Sequence, residues 1–181
     1  MTIDGSRVAP TIRPAGPDDI AAITAIYADA AKHGTASFEY EAPSEAEMAE
    51  RMRTIVEGGY PYLVAEIDGV IRGYSYAGPY HRRPGYRMTV EDSVYVAADV
   101  RRCGIGRQLL STIIGEAERR GFRQMIAVIG DSGNAASISL HGALGFNPVG
   151  TLRDIGWKHG RWLDVVVMQR TLGDGAARPA A

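Results

Sequence analysis

Residues 89–107 read TVEDSVYVAADVRRCGIGR, a strand-like segment that runs into a glycine-rich turn. Valine and tyrosine dominate residues 89–96, as is usual in strands. From Gly104 to Arg120 the apolar residues recur with the period of a helix, and Gly121 ends the pattern. This stretch therefore predicts a strand, a turn and a long helix in direct succession.

The turn itself, RRCGIGR at 101–107, suits a pyrophosphate ligand. The first amides of a helix lack partners within the helix and point outward at the positive end of its dipole. Gly104 and Gly106 allow the backbone to approach a ligand closely, and three arginines add positive charge. Taken alone, the turn is equally compatible with a plain change of direction in which the arginines are solvated. Cys103 fits a small buried filler better than a nucleophile.

Two adjacent carboxylates, Glu91 and Asp92, interrupt the preceding strand. Alternation along a strand sends them to opposite faces of the sheet. Glu91, close to a phosphate site, suits a general base whose pKa is raised by partial burial. The alternative is a strand-edge charge that faces water or pairs with Arg83 or Arg87.

A second polar pair lies on a helix predicted at 134–144. Asn134 and His141 are seven residues apart, which places them on one face of the helix. His141 is a candidate proton donor or relay, because the ordinary pKa of histidine is close to neutrality. The alternatives are a histidine satisfied by a backbone carbonyl and, for Asn134, a helix N-cap.

The other segments complete an α/β pattern. Further strands are predicted at 11–13, 62–67, 70–76, 124–129, 146–152 and 162–169, and further helices at 20–33 and 45–56. This order favours one mixed sheet with helices on both faces. We expect a leader at 1–9, a single domain at 10–172 and a flexible tail at 173–181.

The composition excludes several classes of function. The 181 residues include 20 lysines and arginines, 21 acids and one cysteine. Such a balance provides no net field for a polyanion, so we expect no nucleic-acid partner. One cysteine forms no internal disulfide, and no apolar run approaches the roughly 18 residues of a membrane span, which favours a cytoplasmic protein without membrane contact. The remaining histidines lack ligand spacing, so we expect no metal.

Several motifs in a fixed order resemble the GNAT acetyltransferase superfamily, and most closely its phosphinothricin and methionine sulfoximine acetyltransferase branch. They are the strand 90–96, the turn 101–106, Gly133–Ser137, Leu140-His141, Gly145-Phe146 and KHGRWLD at 158–164. The resemblance implies a central, mostly antiparallel twisted sheet of six to seven strands with splayed central strands and about four flanking helices. It also implies a homodimer.

The resemblance further implies that an acetyl group passes directly from acetyl-CoA to an amine in a ternary complex. The implied acetyl-CoA contacts are Val94, Tyr95, Val96, Arg101, Arg102, Cys103, Gly104, Ile105, Gly106, Arg107, Asn134 and Ser137. Glu91 matches the catalytic glutamate, and His141 stands where many members have an acidic tyrosine. The division of labour between these two residues stays open. Asp92 departs from the histidine or serine of many relatives.

The implied acceptor is a small amino-acid-like amine of the phosphinothricin or methionine sulfoximine type, and the implied role is detoxification. Its expected contacts are Phe38, Tyr80, Arg83, Tyr86, Arg87 and Thr89. Arg87 and Thr89 suit a carboxylate, phosphinate or oxidised sulfur group. Two alternatives remain: a GNAT enzyme for another free amine, such as an amino sugar, polyamine or protein N-terminus, and a non-catalytic acetyl-CoA-binding module.

Overall fold

The computed structural model describes residues 9–179, which form seven strands and four helices. The strands are β1 (Thr11–Pro14), β2 (Tyr62–Ile67), β3 (Val70–Pro79), β4 (Thr89–Val96), β5 (Gln124–Gly130), β6 (Asn147–Lys158) and β7 (Arg161–Thr171). The helices are α1 (Ile20–His33), α2 (Glu45–Glu57), α3 (Ile105–Arg119) and α4 (Ala135–Ala143).

All seven strands belong to one open sheet in the order β1-β2-β3-β4-β5-β7-β6. The pair β4 and β5 is parallel, and the other neighbouring pairs are antiparallel. The predicted mixed α/β sheet with four helices is confirmed. Strand β4 lies in the middle of this order, with β3 along one edge and β5 along the other.

The two faces of the sheet carry separate apolar cores. Helices α1 and α2 pack with Tyr62, Val64 and Tyr74 on one face, whereas α3 packs with Val90 and Met125 on the other. The alternation of β4 therefore sends its residues toward different helices. Odd-numbered residues of β4 face α1 and α2, and even-numbered residues face α3 and α4.

Local signals fix where the helices begin. Ser44 and Glu47 form the predicted capping box of α2: the Glu47 amide donates to Ser44 Oγ at 3.3 Å, and the Ser44 amide donates to Glu47 Oε2 at 2.7 Å. Helix α1 follows a short 3-10 turn at Pro17–Asp19. The Asp19 carboxylate there binds Arg13 at 2.8 Å, which ties the start of the helix to β1.

Strand β6 runs six residues beyond the predicted 146–152, whereas β7 exceeds the predicted 162–169 by one residue at its start and two at its end. They form a long hairpin whose turn, His159-Gly160, has left-handed backbone with φ of +50° and +73°. An irregularity between Leu152 and Gly156, with Asp154 at φ +51°, breaks the alternation that strand prediction depends on. The predicted strand 146–152 ends at this irregularity, where the alternation of polar and apolar residues ends.

The tip of this hairpin holds the loop between α1 and α2 in place. The Lys158 ammonium, on a residue 2% exposed, donates to the carbonyls of Ala31 and Ser37 at 2.6 Å each. The Tyr40 hydroxyl donates to the Trp157 carbonyl at 2.7 Å. These contacts fix the loop against the end of the sheet where β4 and β5 terminate.

The predicted leader, 1–9, and the predicted tail, 173–181, lie at the two ends of the chain. Residues 1–8 of the leader and 180–181 of the tail lie outside the described part. Residues 173–178 form successive turns, and Asp174 lies 3.5 Å from Arg123. Within residues 9–179, none of the helices combines the length and the apolar character needed to cross a membrane.

Candidate active site

The parallel strands β4 and β5 separate part-way along their length. Residues 89–91 pair with 124–126, and the registered pairing ends there. A cavity of about 680 Å³ extends along the separated β4 to the first turns of α3 and α4. The predicted splay of the central strands is thus present, and it begins immediately after Glu91.

Nearly all of the predicted acetyl-CoA contacts line this cavity. They are Val94, Tyr95, Val96, Arg101, Arg102, Gly104, Ile105, Gly106, Arg107, Asn134 and Ser137, and His141 lies among them. Cys103 is not part of the lining, and its side chain is exposed. The left-handed backbone of Arg102 and Gly104 puts Cys103 on the outer side of the turn. The expectation of a buried filler at Cys103 is therefore wrong.

The first turn of α3 presents free amides to the cavity. The Gln108 amide donates to the Gly104 carbonyl at 3.1 Å, which is the first hydrogen bond of the helix. The amides of residues 105–107 precede it and remain available to an anion. Gly104 has φ +86°, a conformation that glycine adopts without strain. The turn therefore has the free amides and the glycine conformation that the sequence motif predicts for an anion site.

The three arginines of the turn are exposed at the cavity rim. Arg101 lies 3.4 Å from Asp29 of α1, and Arg102 has φ +65°. Together they concentrate positive charge at one place on a chain whose formal net charge is -1. This distribution suits a ligand with several phosphates.

Asn134 combines the two roles that the sequence left open. Its side-chain oxygen accepts a hydrogen bond from the Ser137 amide at 3.2 Å, so it is the N-cap of α4. Asn134 and Ser137 also line the cavity. Capping and cavity lining are therefore compatible at this residue.

His141 and Asp92 form a buried pair on the α4 side of β4. His141 Nε2 lies 3.1 Å from Asp92 Oδ2, and His141 Nδ1 lies 2.7 Å from the Ser137 carbonyl. The two residues are 5% and 7% exposed. Burial lowers the pKa of His141, but the hydrogen bond and charge of Asp92 together with the Ser137 carbonyl outweigh it and leave the pKa raised.

Glu91 lies on the opposite face of β4 from this pair. It is opposite Gly78 of β3, in the fourth of seven strands, so the alternative of a strand-edge charge is wrong. Burial first, and the charge of Asp92 second, raise the pKa of Glu91 to about 7. A carboxyl with that pKa accepts a proton readily near neutral pH.

The predicted acceptor contacts fall into two places. Tyr80 and Tyr86 meet edge to face with ring centroids 5.8 Å apart, and the His81 ring is tilted against Tyr80 with ring centroids 4.2 Å apart. This aromatic cluster joins β3 to β4, close to Thr89, and Arg83 and Arg87 are exposed on the same loop. The Tyr80 amide donates to the Thr89 carbonyl at 3.4 Å, and Thr89 lies two residues before Glu91.

Phe38 is not with them. A Cβ on Gly130 would lie 3.3 Å from the Phe38 ring, and a Cβ on Gly156 would overlap it. Gly130 ends β5, at the opposite end of that strand from Gln124, which pairs with Thr89. Phe38 therefore packs against Gly156 of β6 and the C-terminal end of β5.

Two features of the site are absent from the residues chosen by sequence. One is the contact of Asp92 with His141, which joins residues 49 positions apart. The other is a second cavity of about 330 Å³ between α2 and the sheet, lined by Tyr27, Arg51, Tyr62, Tyr74 and Tyr76 among others. Its tyrosines alternate along β2 and β3, a pattern that sequence alone assigns to core packing.

Comparison with known proteins agrees with this geometry. Residues 12–167 match the family model described as the acetyltransferase (GNAT) domain. A phosphinothricin N-acetyltransferase of Alcaligenes faecalis is 50% identical over 173 residues, which cover 96% of this chain and 88% of that protein. An L-methionine sulfoximine/L-methionine sulfone acetyltransferase of Pseudomonas aeruginosa is 42% identical over 170 residues, covering 93% of this chain and 98% of that protein.

A solved structure shows the same fold. The crystal structure of a GNAT superfamily phosphinothricin acetyltransferase from Sinorhizobium meliloti in complex with AcCoA superimposes with a TM-score of 0.93. The two chains are 46% identical, and the match covers 96% of this chain and 94% of the other. That crystal structure contains AcCoA.

Proposed function

Since this chain belongs to the acetyltransferase (GNAT) family and is an acetyl-CoA-dependent N-acetyltransferase, we propose that its acceptor is the amine of a small amino acid of the phosphinothricin or methionine sulfoximine type. One observation supports this most strongly. Glu91, with a pKa raised to about 7, lies where β4 and β5 separate and beside a loop that carries arginines and tyrosines. An ammonium and an acidic group on one small molecule match these two features.

In the proposed reaction the free amides of α3 hold the CoA pyrophosphate, and Arg101, Arg102 and Arg107 surround it. The pantetheine arm and its thioester lie between the separated strands, along Val94–Val96. Glu91 takes a proton from the acceptor ammonium, and the neutral amine attacks the thioester directly. The cofactor supplies the activated acetyl group, and residues 89–141 orient it toward the amine.

The charge of the loop favours an amino-acid acceptor over the other amines. Arg82, Arg83 and Arg87 are exposed on the segment between β3 and β4, next to Tyr80 and Tyr86. A guanidinium binds a carboxylate, phosphinate or oxidised sulfur group with two parallel hydrogen bonds. A polyamine or amino sugar would instead need acidic groups there. A module that only binds acetyl-CoA has no need for a carboxyl poised near neutral pH.

We also propose one catalytic domain at 10–172, a homodimer and a cytoplasmic location. Five exposed large apolar residues support the homodimer, because all lie on the β6–β7 hairpin: Val149, Leu152, Ile155, Trp157 and Trp162. The exposed free thiol of Cys103 suits a reducing compartment. A detoxifying role follows from the acceptor, since acetylation removes the charge of its amine.

A thiol-release assay with acetyl-CoA tests the proposed acceptor. We expect turnover with phosphinothricin, methionine sulfoximine or methionine sulfone, and little with spermidine, glucosamine or a peptide N-terminus. Glu91→Gln and His141→Ala should bind acetyl-CoA normally by calorimetry and lose turnover by about 100-fold or more. Wild-type rates in both variants would remove these residues from the mechanism, and a preference for polyamines would replace the acceptor class.

A further inference from the structure

The hydrogen bonds of His141 determine where its protons are. A backbone carbonyl only accepts, so the 2.7 Å contact of Nδ1 with the Ser137 carbonyl requires a proton on Nδ1. The 3.1 Å contact of Nε2 with Asp92 Oδ2 requires a second proton between those two atoms. The hydrogen bond and the charge of Asp92 raise the pKa of His141, which assigns this second proton to the ring, so both ring nitrogens donate and the ring is an imidazolium.

The surroundings of the ring favour this charged form. The groups against it are Asp92 from β4, Ser137 from α4 itself, and Phe146, whose ring meets it edge-on at 5.0 Å. Ser137 and Phe146 are uncharged, so the carboxylate of Asp92 provides the electrostatic stabilisation. In such a buried place an ion pair is screened much less than at the surface.

The base and the acid lie on opposite faces of β4. Glu91 is the base on one face, and Asp92 binds the acid, His141, on the other. Glu91 faces the α1–α2 side, and Asp92 holds His141 on the α4 side, both at the point where β4 leaves β5. A base and an acid in direct contact would exchange a proton with each other. The strand keeps them apart, and both lie where the pairing of β4 with β5 ends.

From these contacts we propose that Asp92 is a positioning residue that keeps His141 doubly protonated, so that His141 is the acid that protonates the departing CoA thiolate. This inference rests on the proposed function and settles which of the two groups, Glu91 or His141, has which task. Asp92 does not touch the substrate in this scheme and acts through His141.

Every proton in this reaction has a donor and an acceptor. The ammonium gives one proton to Glu91, the amine nitrogen bonds to the acetyl carbon, and the C–S bond breaks with its electron pair on sulfur. The thiolate takes the Nε2 proton of the His141 imidazolium, which leaves its 3.1 Å hydrogen bond with Asp92. The nitrogen of the tetrahedral intermediate loses its second proton to water. Water then returns a proton to His141 and removes one from Glu91, so the products are the amide, free CoA and one proton.

A small polar cavity provides the path for the returning proton. It has a volume of about 60 Å³, and both Asp92 and His141 line it together with Asn134 and Ser137. Asp92 Oδ1 is buried and has no hydrogen-bond partner within residues 9–179. A space of that size holds about two waters, which need polar partners such as this oxygen.

Nitrogen-15 NMR of the histidine rings in the cofactor-free protein tests the proton assignment without any turnover. The chain has four histidines, and the signal lost in His141→Gln identifies the ring. We expect both nitrogens of His141 to be protonated at pH 7 in the wild type. Asp92→Asn should lower the midpoint of the His141 titration by about one pH unit or more. Asp68→Asn, an equal charge change at the exposed β2–β3 turn, should leave it unchanged.

The pH dependence of kcat gives a second measurement. The alkaline limb reports loss of the His141 proton, so Asp92→Asn should move it to lower pH and reduce kcat at pH 8.5 about tenfold or more. The acidic limb, which reports Glu91, should move the same way by less, because the Asp92 charge also raises the pKa of Glu91. Asp68→Asn should retain both limbs.

Two results would overturn the inference: a neutral His141 ring in the wild type at pH 7, or an unchanged His141 midpoint in folded Asp92→Asn. The wild-type spectrum decides the matter even if Asp92→Asn does not fold. Failure of the proposed function looks different. In that case Glu91→Gln and His141→Ala turn over normally, whatever protons the NMR spectrum finds on His141.

Discussion

At the scale of single residues, the raised pKa of Glu91 serves the proposed reaction and also makes the folding stability depend on pH. Its carboxyl has an ordinary pKa of 4.5 and a folded-state pKa of about 7, raised by burial and then by Asp92. The folded state therefore holds this proton over a pH range in which the unfolded chain has lost it. Folding stability attributable to Glu91 is present below about pH 4.5 and falls as the pH rises through 7.

Glu91→Gln should consequently be inactive but more stable than the wild type at pH 8. Glutamine does not ionise, so the cost of burying a charge disappears, and we expect a gain of about 1 to 3 kcal/mol in the free energy of unfolding. At pH 4 the two proteins should unfold alike. Urea titrations at both pH values measure this, with Glu41→Gln in the exposed loop as control. A variant less stable than the wild type at pH 8 would contradict the burial argument.

Residue-scale prediction from sequence succeeded where local patterns carry the information. Alternation in β4 correctly separates Glu91 from Asp92, and the N-cap pattern identifies Asn134. The Asp92–His141 contact depends on how α4 packs against β4, which no local pattern encodes. Cys103 was misplaced for a related reason, because the left-handed residues beside it reverse the direction of the chain.

At the scale of elements, helix α3 offers a matched pair of glycines. Gly104 precedes its first turn and Gly121 follows its last, and both have φ +86° with open space where a Cβ would be. Alanine at either position should cost about 1 to 2 kcal/mol in the free energy of unfolding, because a Cβ is strained in the left-handed region.

Only Gly104→Ala should also weaken acetyl-CoA binding. Relief of its strain tilts the amides of residues 105–107 away from the pyrophosphate, and loss of one hydrogen bond to a charged group raises Kd about tenfold. Calorimetry with acetyl-CoA compares the two variants at equal loss of stability. If Gly121→Ala loses as much affinity as Gly104→Ala, general destabilisation explains the effect and the phosphate-binding turn is wrong.

Element boundaries follow from sequence to within a few residues where capping residues mark them. Gly121, the Ser44–Glu47 capping box and the uniform alternation of β4 are such marks. The β6–β7 hairpin has none in its middle, since residues 153–161 mix charged, aromatic and glycine residues around a bulge. Pairing between β6 and β7 sets the length of the hairpin. The pattern of residues along either strand alone does not predict that length.

At the scale of the whole molecule, the β6–β7 hairpin accounts for five of the ten exposed large apolar residues in the described part. Trp157 and Trp162 are cross-strand partners with ring centroids 5.3 Å apart and are 48% and 58% exposed. If this hairpin forms the homodimer interface, Trp162→Ser should shift the sedimentation coefficient from dimer to monomer at micromolar concentration.

Val70→Ser is the control for that experiment. Val70 is 47% exposed on the β2–β3 hairpin, at the other side of the sheet, so its replacement should leave the oligomeric state unchanged. A Trp162→Ser protein that sediments as the wild type does would place the interface elsewhere. The dimer itself came from family resemblance, because composition and periodicity do not distinguish an interface from a chain's own core.

The strand order illustrates the same limit. A mixed sheet with helices on both faces follows from the sequence of elements, but the insertion of β7 between β5 and β6 depends on contacts between distant segments. The family resemblance supplied the mostly antiparallel sheet and the splayed central strands, but not the place of β7 in the order.

The short junction between β4 and β5 leaves part of each strand unpaired with the other. Three residue pairs, 89–91 with 124–126, join the two strands, and this pairing ends although the strands continue to Val96 and Gly130. The backbone groups along the resulting gap seek polar partners, and the amides of a pantetheine chain have the right chemistry to satisfy them. A molecule that fills the gap would act as a missing strand between β4 and β5.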